Sequence, residues 1–223
     1  MKRYLSLLLV LCVLIVIGVI ASANDILTAP FVKRAPVLDG VLDDEAWKIA
    51  AEKGGKSEIA YYLNAIAMSE GKSDVYICWD DDYLYIAFQN YQPQDTIVAE
   101  TFNDGGSIWV ADDDNEIFIS TTFPGSSPYK QGITNAIGTR AGMDGNLDWE
   151  VSAEIYDEYW ITEIAIPFDI FNVYPDHGDE WAINLTRRSA NDAGGPAEWR
   201  TWSSLPVTTF LDPLVFGLLE FVR

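Results

Sequence analysis

"DVYICWDDDYLYIAFQN", residues 74–90, carries the reading of the fold. Two runs of strand-forming residues flank Asp80, Asp81 and Asp82, so the stretch is a β-hairpin that turns on its aspartates. Working outward, nearly every apolar run alternates and is rich in Val, Ile, Tyr, Trp and Phe, as half-buried strands are. This predicts further strands near 57–63, 97–102, 115–121, 129–138, 147–156, 159–166, 181–188, 198–203 and 216–222. "WEVSAEIYDEYWITEIAIP", residues 149–167, is a second hairpin, turning near Asp157 and Glu158 and stopped by Pro167. Only "DDEAWKIAA", residues 43–51, reads as a helix, with Asp43 as its N-cap and Trp47 and Ala50 on one side. Many short strands and almost no helix define an all-β chain: a two-sheet antiparallel β-sandwich, jelly-roll-like, with one short helix.

Residues 1–23 stand apart from this pattern. Lys2 and Arg3 precede an apolar run from Leu5 to Ile20, and Ala21, Ser22 and Ala23 supply the small residues a signal peptidase accepts. The expectation is a signal peptide over 1–23, a single domain over 24–223, and a secreted, extracellular or periplasmic protein without a membrane contact after cleavage. The mature part then keeps one cysteine, Cys78, so no internal disulfide forms, and its place among strand formers suits a buried inert thiol. Losing Lys2 and Arg3 takes the formal charge from −20 to −22. Such an acidic surface repels phosphate backbones and disfavours nucleic acid, but carboxylates suit neutral polyols and divalent cations.

The motifs of catalysis are missing. His177, the one histidine, lies in "PDHGDE" between strands, no Gly-x-Ser-x-Gly elbow occurs, and Cys78 has no evident histidine partner, so no enzyme activity is expected. The "DDD" of residues 80–82 is a solvated hairpin turn. "ADDDNE", residues 111–116, has greater ligand density yet lacks the glycine and spacing of an EF-hand loop; structural calcium stays open, with its ligands unassigned. Among the eight tryptophans, Trp47, Trp79, Trp160 and Trp181 fall in core patterns, while Trp149, Trp199 and Trp202 stay open between core and cleft, Trp199 and Trp202 flanking "RT" near a strand end. Trp109 follows "NDGGS" and precedes acids, which places it on a loop or rim.

Six blocks in order, "APVLDGVLDDEAWKIA", "VYICWDDDYLYIAFQN", "WVADDDNEIFIS", "YWITEIAIPF", "WAINLTRR" and "DPLVFGLLEF", resemble the family 9 carbohydrate-binding modules over residues 30–222. The resemblance implies a DOMON-like β-sandwich that binds mono-, oligo- or polysaccharide ends, clamping a terminal sugar between two aromatic side chains. By position, it implies Trp109 as one platform and Phe210 as the other, with Glu116, Asn135 and Thr186 contacting hydroxyls. Ile133 stands where the family has an arginine, so Arg187 or Arg188, beside Thr186, is the substitute donor.

An aromatic ring against the apolar face of a pyranose buries roughly 100 Å², worth about 2–3 kcal/mol. Two such rings barely offset the cost of association, so hydrogen bonds must set selectivity. Two alternatives accompany this reading. One is haem binding, suggested by related sandwich domains, with His177, Met68 or Met143 as axial ligands. The other is a cell-surface assembly role with self-association through sheet edges.

Overall fold

The computed structural model describes residues 25–62, 68–190, 197–203, 209 and 211–223, the side chains of 62 and 68–72 excepted. The leader expected over 1–23 and the platform expected at Phe210 lie outside the described residues. Twelve strands and one helix follow in order: β1 (Ile26–Pro30), α1 (Glu45–Glu52), β2 (Lys56–Tyr62), β3 (Met68–Trp79), β4 (Tyr83–Tyr91), β5 (Asp114–Ser120), β6 (Lys130–Asn135), β7 (Arg140–Gly142), β8 (Glu150–Ile155), β9 (Tyr159–Pro167), β10 (Glu180–Ser189), β11 (Glu198–Thr201) and β12 (Gly217–Val222). Both hairpins read from the sequence are present, as β3–β4 and β8–β9.

The strands form one hydrogen-bonded sheet in the order β7-β6-β5-β10-β11-β2-β3-β4-β9-β8, with β12 beside β10 and β1 parallel to β12. All other pairings are antiparallel. Two separate sheets were expected; the difference lies in β11. Its Arg200 pairs with Arg187 of β10 and its Thr201 with Tyr61 of β2, so one short strand joins the two arms. Ile117, Ile119, Ile183 and Leu185 from one arm share a buried cluster with Val75, Ile77, Ile86, Phe88, Ile164 and Ile166 from the other. Each strand presents alternate residues to that core. Trp79 and Trp181 lie inside it, each edge-on to Phe221 at ring separations of 5.3 and 4.9 Å. Trp149 and Trp202 are core residues too.

Helix α1 starts one residue later than the sequence suggested. Asp44 is its N-cap, but the Asp44 carboxylate accepts the Val37 N–H at 2.9 Å and makes no cap bond to the helix. Trp47 donates its indole N–H to Glu163 Oε1 at 2.7 Å, and Glu163 Oε2 accepts from the backbone N–H of Asp39 and Gly40. A single buried carboxylate on β9 thereby fastens the helix and the loop before it to the sheet. Cys78 is fully buried, and desolvation raises its thiol above the ordinary range, which suits an inert core residue.

Residues 97–102, read as a strand, form none. Their backbone donors go to carboxylates instead. Val98 N–H donates to Asp113 at 2.7 Å, and the N–H groups of Glu100 and Thr101 donate to Asp112, each at 3.0 Å.

Candidate functional site

Register places the site on the outer face of β6, β5 and β10. Asp114, Glu116 and Phe118 project to that face, because Asn115, Ile117 and Ile119 point inward. Cross-strand partners share the face: Ile133 and Thr186 flank Glu116, Asn135 and Arg188 flank Asp114, and Gln131 and Asn184 flank Phe118. At one end of this face Phe118, Phe216 and Ala182 close it as an apolar cluster with Tyr129. At the other end the loop before β5 folds across it.

The aspartate run makes that loop. Asp112 accepts from Glu100, Thr101 and, at 2.7 Å, the Asn135 amide. Asp113 accepts from Val98, Gln92 and Ala190. Arg188 donates to the Asp112 and Val110 carbonyls at 2.5 and 3.3 Å. Ile108 packs fully buried on Ile133 and Ala141. Held from four sides, the single turn Ile108–Val110 presents Trp109 outward, 51% exposed. Structural calcium finds no support in this acidic run. The Asp112 and Asp113 carboxylates are taken up by N–H donors, and among the described residues no cluster of three or more His, Cys, Asp or Glu is arranged to hold an ion.

Beside Trp109 lies a pocket of about 680 Å³, within the size range of small-molecule sites. Its lining includes Trp109, Glu116, Gln131, Ile133, Asp144, Trp199 and Leu211. Glu116 is 3% exposed and its Oε2 accepts from the Gln131 amide at 2.6 Å. Burial pushes the Glu116 carboxyl up to about 7, against the lowering effects of Gln131 and Arg188. Asp114, two residues away on the same face, is wholly buried, and among the described residues neither of its oxygens has a hydrogen-bond partner. Burial, and then the charge of Glu116, raise its carboxyl well above the usual range.

The wall opposite β5 is a left-handed turn. Gly142, Met143, Asp144 and Gly145 have φ of 91°, 45°, 59° and 81°. Met143 is fully buried beside Trp149 in the core, which holds this unfavourable backbone in place and sets Asp144 at the pocket, ion-paired to Lys130. A Cβ at Gly142 would meet the Gln131 carbonyl oxygen at 2.3 Å, so only glycine fits there.

The residues anticipated for ligand contact therefore separate. Trp109 and Glu116 line one pocket. Thr186 sits beside Glu116 on the same face, buried, its hydroxyl without a partner among the described residues. Asn135 shares the face, but its amide donates to Asp112 and to the Thr101 carbonyl while its oxygen accepts from Ile137 and Thr139, so the side chain serves the loop. Arg187 points to the opposite face. It pairs in register with inward-facing Asn115, donates to Ser73 and Gln92, and lies 5.8 Å from the Trp160 ring. Arg188, one residue on, is the arginine of the site face.

Gln131, Asp144 and Leu211 escaped the sequence reading, and Trp199 was left undecided between cleft and core. Strand parity alone could have separated Arg188 from Arg187, given the partner strand. Of the haem ligands considered, Met143 is sealed in the core, His177 accepts the Arg223 N–H at Nδ1 in an outer loop, and the Met68 side chain lies outside the described residues.

The fold is a β-rich domain with a pocket beside Trp109. The chain matches the family described as "Carbohydrate family 9 binding domain-like" over residues 38–223, and it belongs to that family, whose members are non-catalytic. Its fold is similar to a family 9 carbohydrate-binding module of Caldicellulosiruptor kristjanssonii in complex with cellotriose. The TM-score is 0.64 at 16% identity, over 89% of this chain and 94% of that one. The same holds for a family 9 module of that organism in complex with glucose, with a TM-score of 0.63 and 16% identity over 89% and 97%. A Bacteroides uniformis ATCC 8492 structure, provisionally described as carbohydrate-binding, gives 0.66 and 16% over 89% and 99%. At this identity the likeness is one of fold. No curated protein matches the chain.

Proposed function

We propose that this protein is an exported carbohydrate-binding module that takes a terminal sugar unit into the pocket beside Trp109. The observation that carries the reading is a half-exposed indole held at the rim of a pocket whose floor offers a buried carboxylate, Glu116. An indole face suits the axial C–H surface of a pyranose, and a carboxylate accepting hydroxyl hydrogen bonds supplies orientation. Trp199 lines the same pocket and offers a second aromatic surface there, beside Leu211, the neighbour in sequence of Phe210. Support also comes from the family and from the solved relatives whose complexes contain cellotriose and glucose. The division of the sheet into two arms around one core, bridged by β11, is read as the sandwich of that family. Export follows from residues 1–23 in the sequence. Calcium binding and self-association add nothing that this reading needs.

Calorimetric titration of the mature protein with mono- and oligosaccharides, together with tryptophan fluorescence, tests it. Binding heat and an emission change are expected for at least one neutral or amino sugar series. Neither signal with any sugar at millimolar concentration would reject the function.

A further inference from the structure

The charges lining the pocket are one-sided. Among the described residues lining it, Glu116 and Asp144 are the charged ones, and both are acidic. Behind Glu116, about 7 Å along the strand, lies Asp114, completely buried with both oxygens unpartnered among the described residues. The cations near this group are already engaged. Arg188 directs its two terminal nitrogens to the Asp112 and Val110 carbonyls, and Lys130 pairs with Asp144. Ile133 lies beside Glu116. Gln131 donates to Glu116 Oε2.

Arg188, whose charge favours both carboxylates, is committed to the loop carbonyls and lies over the Trp199 ring, so a buried acidic pair with one shared, engaged cation stays complementary to a positively charged ligand. We propose that the pocket selects saccharides bearing a free amino group, of the glucosamine class, with the ammonium seated on Glu116 and the buried Asp114 carboxyl behind it. An ammonium brings three donors and a full charge, and its charge-assisted bonds are about twice as strong as those of a neutral hydroxyl. The same arrangement rejects uronic acids and sulfated sugars, whose anions would face Glu116 and Asp144. This inference rests on the carbohydrate reading given above and names the sugar class within it.

Titration behaviour supports the placement. Burial leaves the carboxyls of Glu116 and Asp114 raised, so part of the pair holds protons at neutral pH. The groups around them are Asp112 and Asp113 from the loop, Arg188 from β10, Gln131 and Lys130 from β6, Tyr129 preceding β6, and Asp144 from the left-handed turn. An arriving ammonium lowers both carboxyls and expels a proton; a neutral sugar does not.

The test is calorimetric titration of the full mature chain with glucosamine, N-acetylglucosamine, glucose and glucuronate near pH 6, where a primary amine is charged. Repeating it in two buffers of different ionisation enthalpy reads the proton. The expected result is glucosamine at least tenfold tighter than glucose or N-acetylglucosamine, no measurable glucuronate binding, and proton release with glucosamine alone. Glu116→Gln and Asp114→Asn are expected to shrink the preference for glucosamine over glucose. Glucose binding as tightly as glucosamine to the wild-type protein would overturn the amine assignment and leave the carbohydrate reading intact. Silence toward every sugar would overturn both.

Discussion

Replacing Trp109 by alanine separates a binding role from a structural one. The indole is 51% exposed on a turn fixed by other groups: Ile108 beneath it, Asp112 and Arg188 after it. Its removal therefore leaves the fold in place, and the cost in stability is expected within about 0.5 kcal/mol, as for surface positions generally. Binding is a different matter. A pyranose face laid on the indole buries roughly 100 Å² of apolar surface, worth about 2.5 kcal/mol at about 25 cal/mol per Å². The dissociation constant is then expected to rise roughly 60-fold, since about 1.4 kcal/mol is a factor of ten. Calorimetric titration gives the affinity change, and thermal unfolding of the same sample gives the stability change. A Trp109→Ala protein that melts normally and binds its sugar within about threefold of wild type would refute the platform argument, because an exposed ring that touches the ligand must show its loss.

The remaining predictions concern the scaffold. Asp112→Ala removes an acceptor serving three donors at once, so stability is expected to fall by about 3 kcal/mol, lowering the thermal midpoint by roughly 6–12 °C and weakening sugar binding with it. Glu163→Ala strands the Trp47 indole and two backbone N–H groups and should cost about 3–4 kcal/mol by denaturant unfolding, without altering sugar affinity in protein that remains folded. The Glu116 carboxyl is raised in the folded state to about 7, so the native protein holds this proton more tightly than the unfolded chain. Its contribution to stability is full below about pH 4.5 and is lost as pH rises towards about 7. Unfolding curves at intervals between pH 4 and 8 should show that decline, of about 2–3 kcal/mol, and Glu116→Gln should reduce it, leaving the part that belongs to the raised Asp114 carboxyl. Gly142→Ala forces a side chain at a φ of 91° against the Gln131 carbonyl and is expected to destabilise by more than 2 kcal/mol while deforming the Asp144 wall.

Period and turn chemistry made much of the architecture readable from the chain alone. Alternation in residues 74–90 and 149–167 identifies both hairpins, because side-chain direction in a strand repeats every two residues whatever the strand pairs with. The core positions of Trp47, Trp79, Trp160 and Trp181 followed from the same patterns. Where the apolar pattern misled, at 97–102, a nonlocal group had intervened: aspartates more than ten residues later captured the backbone donors that a neighbouring strand would have used. The ligand density of residues 111–116 left calcium open for a related reason, since density of carboxylates in sequence says nothing about which donors surround them.

What local sequence settled about this protein is most of the strand content, the single helix, and Trp109 as an exposed loop residue, all consequences of period and loop composition. What only the tertiary structure decided is which neighbours each face acquires. Arg187 and Arg188 are chemically identical and adjacent, yet pairing of β10 with β5 sends one to Ser73 in the interior and the other to the loop that carries Trp109. Asp114, an ordinary acid in the string, becomes a buried carboxyl without a hydrogen-bond partner among the described residues because β6, β10 and a distant loop close over it. A strand's own sequence fixes the alternation of its faces, but desolvation and hydrogen-bond satisfaction depend on chain segments brought together by pairing, and these set the chemistry of the pocket.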